Sequence, residues 1–91
     1  MKKQEIVIYS ETSNCPVVQM PERKFPGIVL QGDSLKNLSI IVKSIAKRIH
    51  SIKDEDLQGE VQELDAILSG YLECYEHVLE STKITLPYAK N

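Results

Sequence analysis

Short β-branched and aromatic runs, separated by turn-prone residues, fill the first third of the chain, and this pattern predicts strands. The runs occupy residues 5–9, 16–20 and 25–31. Turns are expected at residues 12–14 and 21–24, where polar residues and proline cluster. Because these connections are short, residues 1–33 are predicted to form a three-stranded antiparallel meander.

After residue 33 the apolar spacing lengthens to three and four, which predicts two helices. Asp33 or Ser34 is expected to cap the first helix, over residues 34–53, by accepting hydrogen bonds from free N–H groups. Its predicted apolar face consists of Leu35, Leu38, Ile41, Val42, Ile45, Ile49 and Ile52. The second helix is expected over residues 55–83, and residues 84–91 form a tail that is apolar enough to dock on the core.

The second helix carries a heptad-like apolar seam, with steps that alternate between four and three residues. The seam consists of Leu57, Val61, Leu64, Leu68, Tyr71, Tyr75 and Val78. Each glycine weakens a helix by up to about 1 kcal/mol, so Gly59 could mark a late start and Gly70 a place of close packing. Residues 1–91 are therefore predicted to form one α+β domain of order β-β-β-α-α.

The 91 residues carry a formal net charge of −2, which is unevenly distributed. Residues 35–53 hold five basic side chains and no acidic one, whereas residues 54–91 hold nine acidic and two basic ones. Such blocks bear on partners and association rather than on fold.

Targeting signals are not evident in the sequence. No apolar run approaches the roughly 20 residues that span a membrane. Lys2 and Lys3 precede polar residues instead of the apolar core of a signal peptide. Two cysteines are too few for a disulfide framework, so we expect reduced thiols, a cytoplasmic protein and no membrane partner.

Residue types that carry catalysis or bind metal are present but poorly arranged. Cys74 and His77 stand three residues apart on the second helix, as a half-buried thiol and a solvent-facing imidazole, without the second close pair of a zinc site. Cys15 lies at a strand start and lacks the signature of a nucleophile. Asp33 and Ser34 follow Gly32 where a phosphate loop needs a lysine. We therefore expect no enzyme activity, no metal and no cofactor.

Two charged stripes are the remaining candidates for a binding site. On the first helix, Lys36, Lys43 and Lys47 are expected to point away from the apolar face, where they could meet phosphate. On the second helix, one solvated sector is expected to hold Asp65, Glu73, Glu76 and Glu80. Glu76 and Glu80 repel each other at a spacing of four residues, near a helix end that disfavours negative charge.

Each stripe has a plainer explanation. The basic stripe could be a solvated face, or could pair with the acidic second helix. The acidic sector could serve solubility alone, since net-charge arguments cannot separate that from the steering of a basic partner.

The segment from Arg23 to Leu35 resembles HicB-type antitoxins, which have a small β-sheet followed by a helix at this point. A family of uncharacterised small bacterial proteins is similar over most of the chain. The shared segments are Val-Val-Gln-x-Pro at 17–21, Arg-Lys-Phe-Pro-Gly at 23–27, Gln-Gly-Asp-Ser-Leu at 31–35 and Leu-Pro-Tyr at 86–88. DNA binding is not implied, because HicB-type proteins return to the sheet where this chain continues into a second helix.

The resemblance implies a small bacterial protein that neutralises a toxin by binding it, as short, acidic, catalytically inert immunity proteins do. We therefore expect a non-catalytic binding protein of this kind, with a basic toxin domain as its partner. The expected contact residues are Asp65, Glu73, Glu76 and Glu80, with Arg23, Lys24 and Phe25 as a second contact.

Two alternatives stay open. One is a nucleic-acid-binding or regulatory module that uses Lys36, Lys43 and Lys47, a less favoured partner class because base recognition brings more Arg, Asn and stacking aromatics. The other is a homo-oligomer in which the apolar seam of the second helix pairs between chains.

Overall fold

The computed structural model describes residues 1–10 and 15–90. Its elements are β1 (Val7–Ser10), β2 (Val17–Gln19), β3 (Gly27–Ile28), α1 (Gly32–Arg48), a single 3₁₀ turn (Ile49–Ser51) and α2 (Glu55–Thr82). Three antiparallel strands followed by two helices confirm the predicted α+β class and the order of its elements. The chain divides into two compact units, Met1–Gln31 with the sheet and Gly32–Asn91 with both helices.

The sheet unit has the strand order β1-β2-β3. Ile8 of β1 lies opposite Val18 of β2, and Val18 lies opposite Gly27 of β3. Val18 is buried with an exposed fraction of 5%, as suits the central strand. All three strands are shorter than the predicted runs; Pro26, which cannot donate a backbone hydrogen bond, stands directly before the two-residue β3. The turn predicted at residues 12–14 lies outside the described residues.

The first helix of the second unit, α1, begins at Gly32, two residues earlier than predicted. In its first turn the Asp33 carboxylate accepts a hydrogen bond from the Ser34 N–H at 2.8 Å. The helix ends at Arg48 instead of residue 53, and the 3₁₀ turn that follows closes with the Ile52 N–H bonded to the Ile49 carbonyl at 2.9 Å. The extended backbone of Ile52 then stops the helical path.

The second helix, α2, has the predicted bounds to within one residue. Asp54 caps its start by accepting the Leu57 N–H at 3.0 Å. Lys83 ends it in the left-handed region, with φ at 59°. Gly59 and Gly70 both lie inside the helix, and a Cβ built at either would meet nothing within 4 Å. The predictions of a late start at Gly59 and of close packing at Gly70 were therefore wrong.

Packing of α1 against α2 uses only part of each predicted apolar face. On α1, Leu35, Val42 and the small Ser39 are buried, and Ser39 is only 2% exposed. On α2, Leu72 is buried, although it lies outside the predicted seam. Much of both predicted faces stays exposed, including Leu38, Ile41, Ile52, Leu57, Leu64, Tyr71 and Val78. The faces were predicted too broadly, because a helix that meets one neighbour buries only the stripe along their contact line.

Gly32 marks a very close approach between the two helices. It is buried at the first residue of α1, and a Cβ built there would overlap the ring of Tyr75 in α2. Its φ is negative, so the requirement for glycine at this position comes from space and not from backbone conformation.

Among the described residues, neither helix is both long and apolar enough to cross a bilayer. The longer helix, α2, carries eight carboxylates along its 28 residues.

Candidate functional site

A groove of about 190 Å³ runs between α1 and α2 on one side of the helical pair. Its lining includes Lys36, Lys43, Ser69, Leu72, Glu73 and Glu76. Because it joins residues of both predicted charged stripes, we call it the polar groove. Part of each stripe therefore faces the other helix, although both stripes were predicted to face solvent.

A three-residue network joins the helices beside the polar groove. The Lys43 ammonium lies 2.9 Å from Asp65 Oδ1 and donates a second hydrogen bond to Ser69 Oγ at 3.1 Å. Ser69 in turn donates to Asp65 Oδ1 at 3.3 Å. The Asp65 side chain is 28% exposed, so the prediction that it points into solvent was wrong. Lys43 does not point away from the apolar contact either, because the rotation of α1 brings it over α2.

The tail returns along the C-terminal half of α2, as expected for a segment able to dock. The Tyr88 hydroxyl donates a hydrogen bond to Glu76 Oε2 at 2.8 Å. The Lys36 ammonium lies 5.2 Å from the centroid of the Tyr88 ring, within the range of a cation–π contact. At the end of the tail, Lys90 forms an ion pair with Glu80. Lys36 and Glu76 are therefore half-buried and engaged within the chain.

These contacts shift three ionisation equilibria. Burial and the hydrogen bond to the Glu76 carboxylate raise the pKa of Tyr88 to about 12. The hydrogen bond from Lys90 lowers the pKa of Glu80, and the same contact raises the pKa of Lys90. Glu80 and Lys90 are both exposed, so solvent and salt weaken their attraction and a competing charge can replace it.

The Tyr88 hydroxyl should ionise at an unusually high pH, and the absorbance of tyrosinate measures this ionisation. Subtracting the tyrosinate titration of Tyr88→Phe from that of the wild type should leave a curve centred near pH 12, against about 10 for a free tyrosine. Because the folded pKa is the higher one, the contribution of Tyr88 to stability is present below pH 10 and declines as the pH rises toward 12. Glu76→Gln should move the curve toward lower pH. A difference curve centred at 10 in the wild type would contradict the Tyr88–Glu76 contact.

The remaining candidate residues are on the surface. Glu73 is exposed at the rim of the polar groove and makes no ion pair among the described residues. Lys47 is also exposed. In the sheet unit, the Lys24 ammonium lies 5.4 Å from the ring centroid of Phe25, which is 72% exposed. The neighbouring Arg23 carbonyl accepts a hydrogen bond from the Gln19 side chain.

The cysteine and histidine side chains all lie at the surface. Within residues 1–10 and 15–90, no group of three His, Cys, Asp or Glu side chains could hold a metal ion. Cys15 and Cys74 are both exposed, so the prediction of a half-buried thiol at Cys74 was wrong. His50 and His77 are exposed as well.

Sequence reasoning missed Ser69 and Lys90 as parts of the charged network and assigned no contact to Tyr88. Ser69 stands four residues after Asp65, a spacing that allows side-chain hydrogen bonding on a helix. Tyr88 belongs to the Leu-Pro-Tyr segment shared with the similar bacterial proteins, and that resemblance was the available signal. No sequence pattern pointed to Lys90.

A short antiparallel sheet and an antiparallel helical pair with a charged groove define a small α+β protein. The chain belongs to a family of unknown function, DUF6959, whose family model matches residues 1–88. No curated protein and no solved structure matches it.

Proposed function

We propose that this chain is a non-catalytic, cytoplasmic bacterial binding protein of the immunity or antitoxin type, which neutralises a basic toxin domain by direct contact with α2. One observation carries the proposal: α2 holds eight carboxylates and no lysine or arginine. Local resemblance of residues 23–35 to HicB-type antitoxins supports the same class.

Most of these carboxylates stay available to a partner. Among the described residues, lysine pairs only with Asp65 and Glu80, and the Glu80 pair is fully at the surface. Exposed carboxylates raise the local concentration of a cationic partner and its association rate. A nucleic acid would be repelled by the same field. Lys36 and Lys43, which it would need, are engaged with Tyr88 and Asp65.

The internal contacts redefine the proposed contact set. Glu73 at the groove rim and the exposed Glu80 are its centre, because each can accept a partner's cation without breaking the helical pair. Glu76 contributes from a half-buried position through its second oxygen. Asp65 holds Lys43 in place and so shapes the surface without being its main contact. The exposed turn of Lys24 and Phe25 remains the proposed second contact.

Charge reversal at the rim should weaken the complex with a toxin domain encoded beside this chain. Glu73→Lys combined with Glu80→Lys should raise the dissociation constant at least tenfold, mainly by slowing association, because steering is lost and repulsion is added. Calorimetry and stopped-flow association at two salt concentrations measure this.

The matched control is Glu5→Lys combined with Glu22→Lys, which changes net charge equally on exposed positions of the sheet unit. Equal weakening by both pairs would show that only net charge matters. An unchanged association rate in the rim variant would remove α2 from the proposed mechanism.

A further inference from the structure

An apolar surface covers the side of the helical pair away from the polar groove. At about 100° per residue, two exposed apolar residues of α1 and those of α2 fall on the same flank of the helices' contact line. Lys36, Lys43 and Glu73 fall on the other flank, together with the exposed Ile40. We call the first surface the apolar side; it consists of Leu38, Ile41, Leu57, Leu64, Ile67, Tyr71 and Val78. Their exposed fractions range from 37% at Leu57 to 63% at Tyr71.

The exposed area of the apolar side is close to the area that one partner buries in a stable protein interface. Half-exposed residues of this number and size present on the order of 700 Å², taking roughly 150–250 Å² for one large side chain. The largest apolar patch on a typical monomer is about 300–600 Å². A stable complex of standard size buries about 800 Å² on each partner. The exposed area is therefore close to what one stable interface requires.

We propose that a second copy of this chain covers the apolar side, with the two α2 helices antiparallel. The carboxylates in the N-terminal half of α2 favour this orientation. Glu60 and Glu63 lie exposed there, and Glu60 occupies the same heptad position as Ile67 and Cys74. A parallel pair places each of these carboxylates beside its own copy, whereas an antiparallel pair separates them and opposes the helix dipoles.

The spacing of the apolar side also sets a register. Leu57, Leu64, Tyr71 and Val78 recur every seven residues, and Ile67 and Cys74 occupy the second heptad position. In an antiparallel pair, residues at the first heptad position of one helix face residues at the second heptad position of the other helix. Centring the crossing at the middle of α2 then places Leu64 opposite the second copy's Cys74, and Tyr71 opposite the second copy's Ile67. This proposal does not rest on toxin neutralisation, which uses the other side of the helical pair.

Sedimentation equilibrium of the full chain at micromolar to millimolar concentration tests the dimer. The wild type should be dimeric, and Leu64→Asp with Tyr71→Asp should raise the dimer dissociation constant at least 100-fold. Both side chains are half-exposed in the single chain, so helicity by circular dichroism should persist. Glu73→Gln, on the groove rim, is the control and should leave the dimer intact. A monomeric wild type throughout this range would overturn the proposal.

Disulfide trapping gives a second measurement that does not depend on the aspartate variant folding. In a Cys15→Ser background, Leu64→Cys should form an intermolecular disulfide with the native Cys74 under mild oxidation. The two positions of one helix are about 15 Å apart, too far for an internal disulfide. The background with Cys74 alone should stay uncrosslinked, since Cys74 does not face itself in the antiparallel pair. Trapping through Cys74 alone, or none with both cysteines, would contradict the proposed arrangement.

Discussion

Replacing Leu72 by alanine should lower the free energy of unfolding by about 3 kcal/mol, the largest stability effect that we expect from a single substitution in α2. Among the described residues of α2, only Leu72 is buried, with an exposed fraction of 7%. It lies where the small Ser39 lets the two helices come together, so truncation leaves a cavity between rigid backbones that cannot close fully.

Chemical denaturation followed by circular dichroism measures the Leu72 effect, provided that protein concentration is held constant. Ile40→Ala is the matched control, because Ile40 is an apolar residue of α1 with 54% exposure. Ile40→Ala should lower the free energy of unfolding by less than about 1 kcal/mol, because truncating a half-exposed side chain removes little buried area. Equal costs for both variants would mean that Leu72 does not anchor the helical pair.

Gly32→Ala should destabilise the protein by about 1–3 kcal/mol, although alanine is a better helix former than glycine. The added methyl group would occupy the space of the Tyr75 ring, so the ring or the start of α1 must move. Thermal and chemical unfolding would measure the loss. The opposite sign, a stabilisation, would mean that Tyr75 moves aside at no cost.

Gly70→Ala is the internal control for that experiment. Gly70 is exposed within the same helical pair, and a Cβ there meets nothing, so this substitution should stabilise by up to about 1 kcal/mol through helix propensity alone. Repeating Gly32→Ala in a Tyr75→Leu background should reduce its cost. A cost that is unchanged in that background would place the strain elsewhere than at Tyr75.

The order of elements and the bounds of α2 could be predicted from local signals. Asp54 has the residue type of a helix cap, and the apolar spacing of α2 continues up to its end. The end of α1 was less predictable, because Ile49 and Ile52 continue the helical apolar pattern while the backbone turns extended at Ile52. Only the fold determines where a periodic sequence stops being a helix.

Which side of each helix is covered could not be predicted in the same way. Periodicity grouped Leu68 with Leu64, yet Leu68 is half-buried while Leu64 is 48% exposed. The difference in exposure between Leu64 and Leu68 depends on how α1 is rotated about its own axis, and tertiary packing sets that rotation. The same rotation brings Lys43 to Asp65, and so turned part of a predicted outer surface into a contact between helices. Pairing of the basic stripe with the acidic helix was the alternative that sequence reasoning had left open.

The separation of charge between α1 and α2 makes the helical pair an electric dipole across its width. Four lysines and arginines stand against one aspartate in α1, while α2 carries only acids among its fully charged side chains. The net charge of −2 for the whole chain therefore describes neither the basic α1 nor the acidic α2. An approaching charged molecule would experience a torque as well as an attraction, and it would turn this unit to a preferred orientation before any atoms touch.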